Sequence, residues 1–320
     1  MNLIALLIGL VVERLASQLF HWRRMRWLDR LIDLGFRQAQ RIANWPAMIP
    51  VVLLAVLLVL PVYLVIFLLG GTLAGFTYLI LAIVVLFFSL GPRDIGEEVA
   101  EYCKALESQD EAAIQIAAKA IVEGDVPTDA RERIQRVEES VCVQANNRLF
   151  AVVFWFVLLG PLAAWAYRVT DLIRRRAVFS TARDIESDNA ETETETETDI
   201  DAADADKMAA VREAAVVLHG WLAWIPARLT AVGYAAAGHF DEAIAAMRAP
   251  TEERDATTSE HSENLLARVG TAALALGDRP DESITERGVR GANSANQLVF
   301  RQLIIWAVII SAMTLYGLTR

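Results

Sequence analysis

The chain has 320 residues, 55% of them hydrophobic, and a formal net charge of −10. Its mean hydropathy of +0.35 is more than a water-soluble domain of this size carries, and no basic surface speaks for a nucleic-acid partner. The acidic residues gather in one tract, 184–206, and the remainder is nearly balanced, so the charge does not point to a cationic partner either.

Residues Asn2 to Phe20 are apolar but carry Glu13 and Arg14. They lack a basic n-region and a small-residue cleavage site, which predicts a retained anchor helix rather than a signal peptide. Arg23, Arg24, Arg26, Arg30, Arg37 and Arg41 follow and place this loop in the cytoplasm by the positive-inside rule. Two runs long enough to cross a bilayer come next, 47–69 and 72–90, joined by the uncharged Gly70-Gly71 on the periplasmic side. Residues 1–91 thus form an N-terminal membrane part with an Arg-rich cytoplasmic loop.

Residues 92–148 are predicted to be a cytoplasmic helical region. Apolar positions recur at helical spacing over 94–107 and 109–123. Gly124, Asp125 and Pro127 punctuate them, and Asp129 is placed to cap a third helix that runs into the next apolar segment.

Within 149–183, the run Phe150 to Val169 is long enough to span, yet a full crossing would leave Arg174, Arg175 and Arg176 in the periplasm. Gly160-Pro161 interrupts it, and two half-helices that enter and return on one side would keep those arginines inside. Residues 184–207, with the tract ETETETETDIDAADAD, offer too little apolar surface to fold alone and are expected to be a disordered insertion. The segment 208–238 repeats the broken pattern around Ile225-Pro226, and paired interrupted segments point to a binding site. A second cytoplasmic helical region, 239–297, and a membrane helix, 298–320, complete the chain. The expected fold is therefore all-α: a polytopic helical membrane protein with broken or re-entrant segments and a helical cytoplasmic part.

Cys103 and Cys142 lie far apart, show no metal-ligand spacing and are read as buried reduced thiols. His21, His219, His239 and His261 are scattered, and neither a phosphate-binding loop nor a nucleophile elbow is present. No cofactor, metal site or catalytic residue is assigned. What remains is charge within apolar segments: Glu13, Arg14, Arg168 and Arg228. Such groups are costly in lipid, so they are expected to face the bundle interior and pair. A helix starting at Pro226 would add positive potential beside Arg228 and suit a small anionic ligand; plain ion pairs that hold the bundle together account for the same pattern.

Three blocks carry a family resemblance: Glu13-Arg14-Leu15; Phe154-Trp155 with Gly160-Pro161 and Tyr167-Arg168; and Trp224-Ile225-Pro226-Ala227-Arg228-Leu229-Thr230 with Tyr234 and Gly238-His239. In order and spacing the chain resembles the AmpE-type proteins, membrane regulators associated with β-lactamase induction and related to cobalamin-biosynthesis enzymes of the CobD/CbiB type. The resemblance implies the bacterial inner membrane, with the polar regions mainly cytoplasmic, and a link to peptidoglycan recycling through an amidase of the AmpD type. It adds Glu139, Tyr234 and His239 to Glu13, Arg14, Arg168 and Arg228 as candidate ligand-binding residues. The cobalamin relatives' pattern carries a Glu-Asn pair and an Asp ahead of the Phe-Trp block, where this chain has Val143, Gln144 and Asn147, and an Asp after Tyr-Arg, where it has Arg174. A regulator or sensor is accordingly the favoured function. A cobalamin-type condensing enzyme and a carrier of a small anionic metabolite stay open as alternatives.

Overall fold

The computed structural model describes residues 26–41, 45–70, 76–90, 94–190, 199–250, 257–277 and 279–316. The expected anchor helix, with Glu13 and Arg14, lies outside them. All regular structure among the described residues is helical: α1 (Arg26–Arg41), α2 (Met48–Gly70), α3 (Phe76–Ser89), α4 (Ile95–Ser108), α5 (Glu111–Ile121), α6 (Ala130–Ala145), a π-turn (Asn146–Phe150), α7 (Ala151–Leu159), α8 (Pro161–Ala190), α9 (Asp199–Ala237), α10 (Phe240–Arg248), α11 (Thr258–Leu274) and α12 (Ile284–Leu315).

Four stretches are long and apolar enough to cross a membrane: Met48–Leu68, Ala130–Leu159, Asp206–Ala237 and Ile284–Thr314. Tyr78–Ser89 is apolar but shorter. On α2, Leu53, Val56, Leu57, Phe67 and Leu68 are all exposed. So continuous an apolar surface is stable against lipid rather than water. The chain is a multi-pass helical membrane protein.

The polar helices begin where the sequence places stop and start signals. Asp94 accepts from Gly96 N, Asp110 from Ala112 N and Ala113 N, and Asp129 from Arg131 N and Glu132 N. Each satisfies amides that the first turn leaves without a partner. Reciprocal caps, Thr257 with Glu260 and Ser283 with Glu286, open α11 and α12. As expected, the helix capped by Asp129 continues into the next apolar segment, through the π-turn and into α7.

The first predicted interruption is present. Gly160 ends α7 at φ +88° and ψ −171°, a conformation all but confined to glycine, and Pro161 opens α8. The second is not: α9 runs unbroken through Pro226. A proline removes the N–H that would bond the carbonyl four residues earlier. Here that carbonyl, Leu222 O, accepts instead from Trp155 Nε1–H of α7 at 3.1 Å. In α2, where Pro61 lies inside the helix, Trp165 Nε1–H donates to Leu58 O at 3.2 Å, one residue beyond the carbonyl that this proline leaves open.

Two other expectations need correction. The ends of the predicted insertion 184–207 are helical, as parts of α8 and α9, while 191–198 lie outside the described residues. The boundary drawn at 297/298 falls inside one helix, since α12 starts at a capping box on Ser283 and crosses it.

Candidate functional site

Among the described residues, an extended and largely buried polar assembly forms where the end of α5 meets α6, α8, α9 and α11. The α8 sequence Arg168-Val-Thr-Asp171-Leu-Ile-Arg174 puts three ionisable groups at i, i+3 and i+6, on one side of a helix. Arg168 Nη1 lies 2.7 Å from Asp171 Oδ2, and Arg174 Nη2 lies 3.1 Å from Asp171 Oδ1. Arg174 also binds Glu123 just beyond α5 at 2.8 Å and Glu263 of α11 at 3.0 Å. Arg175 Nε is 3.0 Å from the other oxygen of Glu123. Close by, Arg148 of the π-turn binds Glu98 of α4 at 2.7 Å and Gln144 at 2.8 Å.

Charges balance in this assembly: Arg148, Arg168, Arg174 and Arg175 face Glu98, Glu123, Asp171 and Glu263. Burying a lone ion is prohibitive, so each must be matched. Burial by itself would raise the Glu123 carboxyl, but the guanidiniums of Arg174 and Arg175 outweigh it and hold Glu123 well below the usual carboxylate range. Glu263 goes the other way. Its burial, reinforced by the like charges of Glu123 and Asp171, outweighs its one strong partner, Arg174, and its carboxyl is raised.

His219 of α9 completes the assembly. Its Nε2 is 3.2 Å from Tyr167 Oη and 3.8 Å from Asp171 Oδ1, and its Nδ1 is 3.3 Å from Ser259 Oγ. The set includes a serine, a histidine and an aspartate. Yet Ser259 is only 2% exposed, and Tyr167 takes the closer place at Nε2. The arrangement holds a histidine between two hydroxyls and offers a substrate no approach to the serine.

Of the residues singled out in the sequence, Arg168 joins this assembly. Glu139 sits half-buried on α6, accepting from Gln135 at 2.8 Å with Arg136 at 3.8 Å. Tyr234 is buried and donates to Cys142 O at 2.7 Å. Both cysteines are buried free thiols. His239 is exposed, beside a cleft of about 310 Å³ at the C-terminal end of α9. Arg228 turns back along its own helix: its guanidinium lies 4.0 Å from the Trp224 ring centroid and donates to Trp224 O at 3.0 Å. Arg168 and Arg228 therefore have separate partners, Asp171 and Trp224. Glu123, Asp171, Arg174, His219 and Glu263 were not singled out by sequence. The usable signal was the Arg168, Asp171, Arg174 spacing directly after a broken segment.

The two of these sequence blocks that lie among the described residues meet in space. Trp155 reaches the carbonyl that Pro226 leaves open, and Tyr167 contacts His219 seven residues before that proline. Gly238 passes so close to α11 that a Cβ there would fall 2.4 Å from Ala273 O, the carbonyl that accepts from His239 N at 2.8 Å.

Comparison with known proteins agrees with this reading of the blocks. The cobalamin biosynthesis protein CobD of Stutzerimonas stutzeri (strain A1501) is 26% identical over 175 residues, which cover 52% of this chain and 47% of that protein. The chain thus spans about half the length of this curated relative. No solved structure matches. Residues 1–319 match the family described as "Regulatory signalling modulator protein AmpE", and the chain belongs to that family.

Proposed function

We propose that this chain is a non-catalytic regulator or sensor of the bacterial inner membrane, acting in peptidoglycan recycling and β-lactamase induction. One observation carries the reading. The acids of this assembly, the buried Asp171 and Glu98 and the partly buried Glu123 and Glu263, are each paired with arginine. A carboxylate engaged by a guanidinium is a poor ligand for the Mg²⁺ that carboxylate activation with ATP requires. Arg174, standing where the cobalamin-type pattern expects an aspartate, is the residue that ties three of these acids together. The assembly fits a rigid polar joint between the membrane helices and the polar helices α4, α5 and α11, through which a binding event on one side reaches the other. A small anionic ligand and a cytoplasmic amidase of the AmpD type are the partners this reading expects besides the bilayer.

The test is genetic. Deletion of the gene in its own host should alter β-lactamase induction by a cell-wall antibiotic, and the wild-type chain should restore it. The same chain should not restore cobalamin synthesis in a strain lacking the CobD-type enzyme. Restored cobalamin synthesis would overturn the reading in favour of the enzyme.

A further inference from the structure

The cleft beside His239 lies apart from the buried ion pairs. His239 follows α9, Ala273 and Leu274 end α11, and Ser294, Gln297 and Arg301 come from α12. No hydrogen bond or ion pair to another described residue engages the side chains of His239, Ser294, Gln297 or Arg301, whereas the arginines around Asp171 are all paired. Four polar side chains with donor capacity, one of them a permanent cation, therefore converge on one concavity whose floor is the apolar Leu298 and Ala273. Its volume, about 310 Å³, reaches the size of small-ligand pockets, which begin near about 300 Å³.

The depth of the cleft is set by α12. The outward stripe of this helix reads Glu286, Asn293, Gln297 and then Phe300, Ile304, Val308, all exposed. These positions follow at spacings of three, four and seven, which is one helix face. The stripe turns from polar to apolar between Gln297 and Phe300, and Arg301 stands at that step. Phe240, exposed beside His239, adds an aromatic group of the kind that sits at a membrane surface. A change from polar to apolar at this point suits a position at the level of the lipid headgroups.

We propose that this cleft is a phosphate-monoester binding site at the membrane edge. Arg301 supplies the two parallel N–H donors that match phosphate oxygens, and Ser294, Gln297 and His239 complete the donor set. The phosphate is carried either by a lipid, whose chains would lie along Phe300 and Ile304, or by a soluble ester that enters from the water side. The site does not depend on the regulatory reading given above.

Titration calorimetry on the full chain in uncharged detergent tests this, with dioctanoyl phosphatidic acid, dioctanoyl phosphatidylcholine and glycerol 3-phosphate as probes. Phosphatidic acid should bind, with phosphatidylcholine at least about tenfold weaker, and R301Q should weaken phosphatidic acid about tenfold or more, the worth of one charge-assisted bond. Arg301 is exposed, so folding is not at stake. Ser294→Leu, which fills the cleft two turns earlier on the same helix face, should give the same loss. R131Q, a change at an exposed arginine of α6, should leave binding unchanged. Binding of glycerol 3-phosphate as tight as that of the lipid would assign the site to a free ester, and its failure would assign it to a headgroup. Equal binding by R301Q and wild type, equal loss in R131Q, or equal affinity for phosphatidylcholine would each overturn the proposal.

Discussion

Arg174 reaches a carboxylate 51 positions earlier in the chain, placing Nη2 2.8 Å from Oε2 of Glu123. The contact ties α8 to the end of α5, and the same guanidinium holds Asp171 and Glu263. Removing it leaves Glu263 without its ion partner and takes one of two guanidiniums from each of Glu123 and Asp171, which keep Arg175 and Arg168. R174M, which keeps most of the stem, should cost about 3–5 kcal/mol, the usual penalty for breaking one side of a buried ion pair. Chemical unfolding in detergent micelles measures it. Adding E123Q to R174M should recover part of the loss, because one negative charge of a cluster left with an excess of acid is then gone. A double mutant no more stable than R174M would refute the arrangement.

Two of Arg174's partners, Glu123 and Glu263, set a pH dependence. Glu123 is held below its ordinary range, so it binds its proton less readily in the folded than in the unfolded chain. Its contribution is complete above the unfolded carboxylate value of about 4.3 and drains away as pH falls below that toward the folded value. Glu263 is raised, so the sign reverses: its part of the stability is lost as pH rises from about 4.3 through its folded value. The stability gap between wild type and E123Q should therefore be constant from pH 8 to about 5 and narrow below about 4. E263Q should flatten the weak-acid part of the profile instead. Melting curves from pH 3.5 to 8 test both, and an E123Q gap that widens on acidification would contradict the assigned charge states.

How far this was legible depends on where each signal resides. The helix start at Asp129 was readable because a cap is a local event, decided by a side chain and amides two or three residues away, and the helices after Asp94 and Asp110 were readable from the spacing of their apolar positions. The break at Gly160-Pro161 was readable for the same reason. Pro226 misled because its cost is set elsewhere: a lost helix bond is a break only if nothing else meets the free carbonyl, and Trp155 lies 67 positions from that carbonyl. The candidate site failed in a similar way. Arg168 was flagged as a charge in an apolar run, but its neighbours Glu123 and Glu263 come from polar stretches where a glutamate carries no sign of burial.

Gly160 tests the break that was legible. Its backbone, φ +88° and ψ −171°, is essentially closed to a residue with a Cβ. A Cβ there would meet only Tyr78 Oη, at 3.7 Å, so the penalty is conformational rather than steric. Gly160→Ala should cost about 1–3 kcal/mol. An unchanged melting temperature would mean that the turn between α7 and α8 has another conformation.

Arg228 and Arg168 should behave unlike one another. Arg228 rests on the exposed face of Trp224; at such a site the cation–ring contact is worth about 0.5–1 kcal/mol. R228A should therefore lower stability by no more than that, while R168A, which uncovers Asp171, should cost several-fold more. Equal effects would mean that Arg228 has a buried partner.

Trp155 provides the sharpest test of the packing, because its role can be returned to the backbone. Its Nε1–H meets Leu222 O, the carbonyl that Pro226 deprives of a helix bond. W155F removes that donor and keeps an aromatic ring in place. The carbonyl is then left without a partner in a span that offers it little water, a loss of about 1–3 kcal/mol. P226A restores an amide at the position from which Leu222 O would ordinarily be bonded. In the P226A background the indole is redundant, so W155F should cost markedly less there than beside proline. The difference between the two costs is the coupling energy of the pair, and a value of about 1 kcal/mol or more is expected for residues sharing one acceptor. Unfolding of the four variants in the same detergent gives it directly. If W155F costs the same in the P226A background as beside the native proline, the tryptophan acts by packing alone, and the continuity of α9 needs another cause.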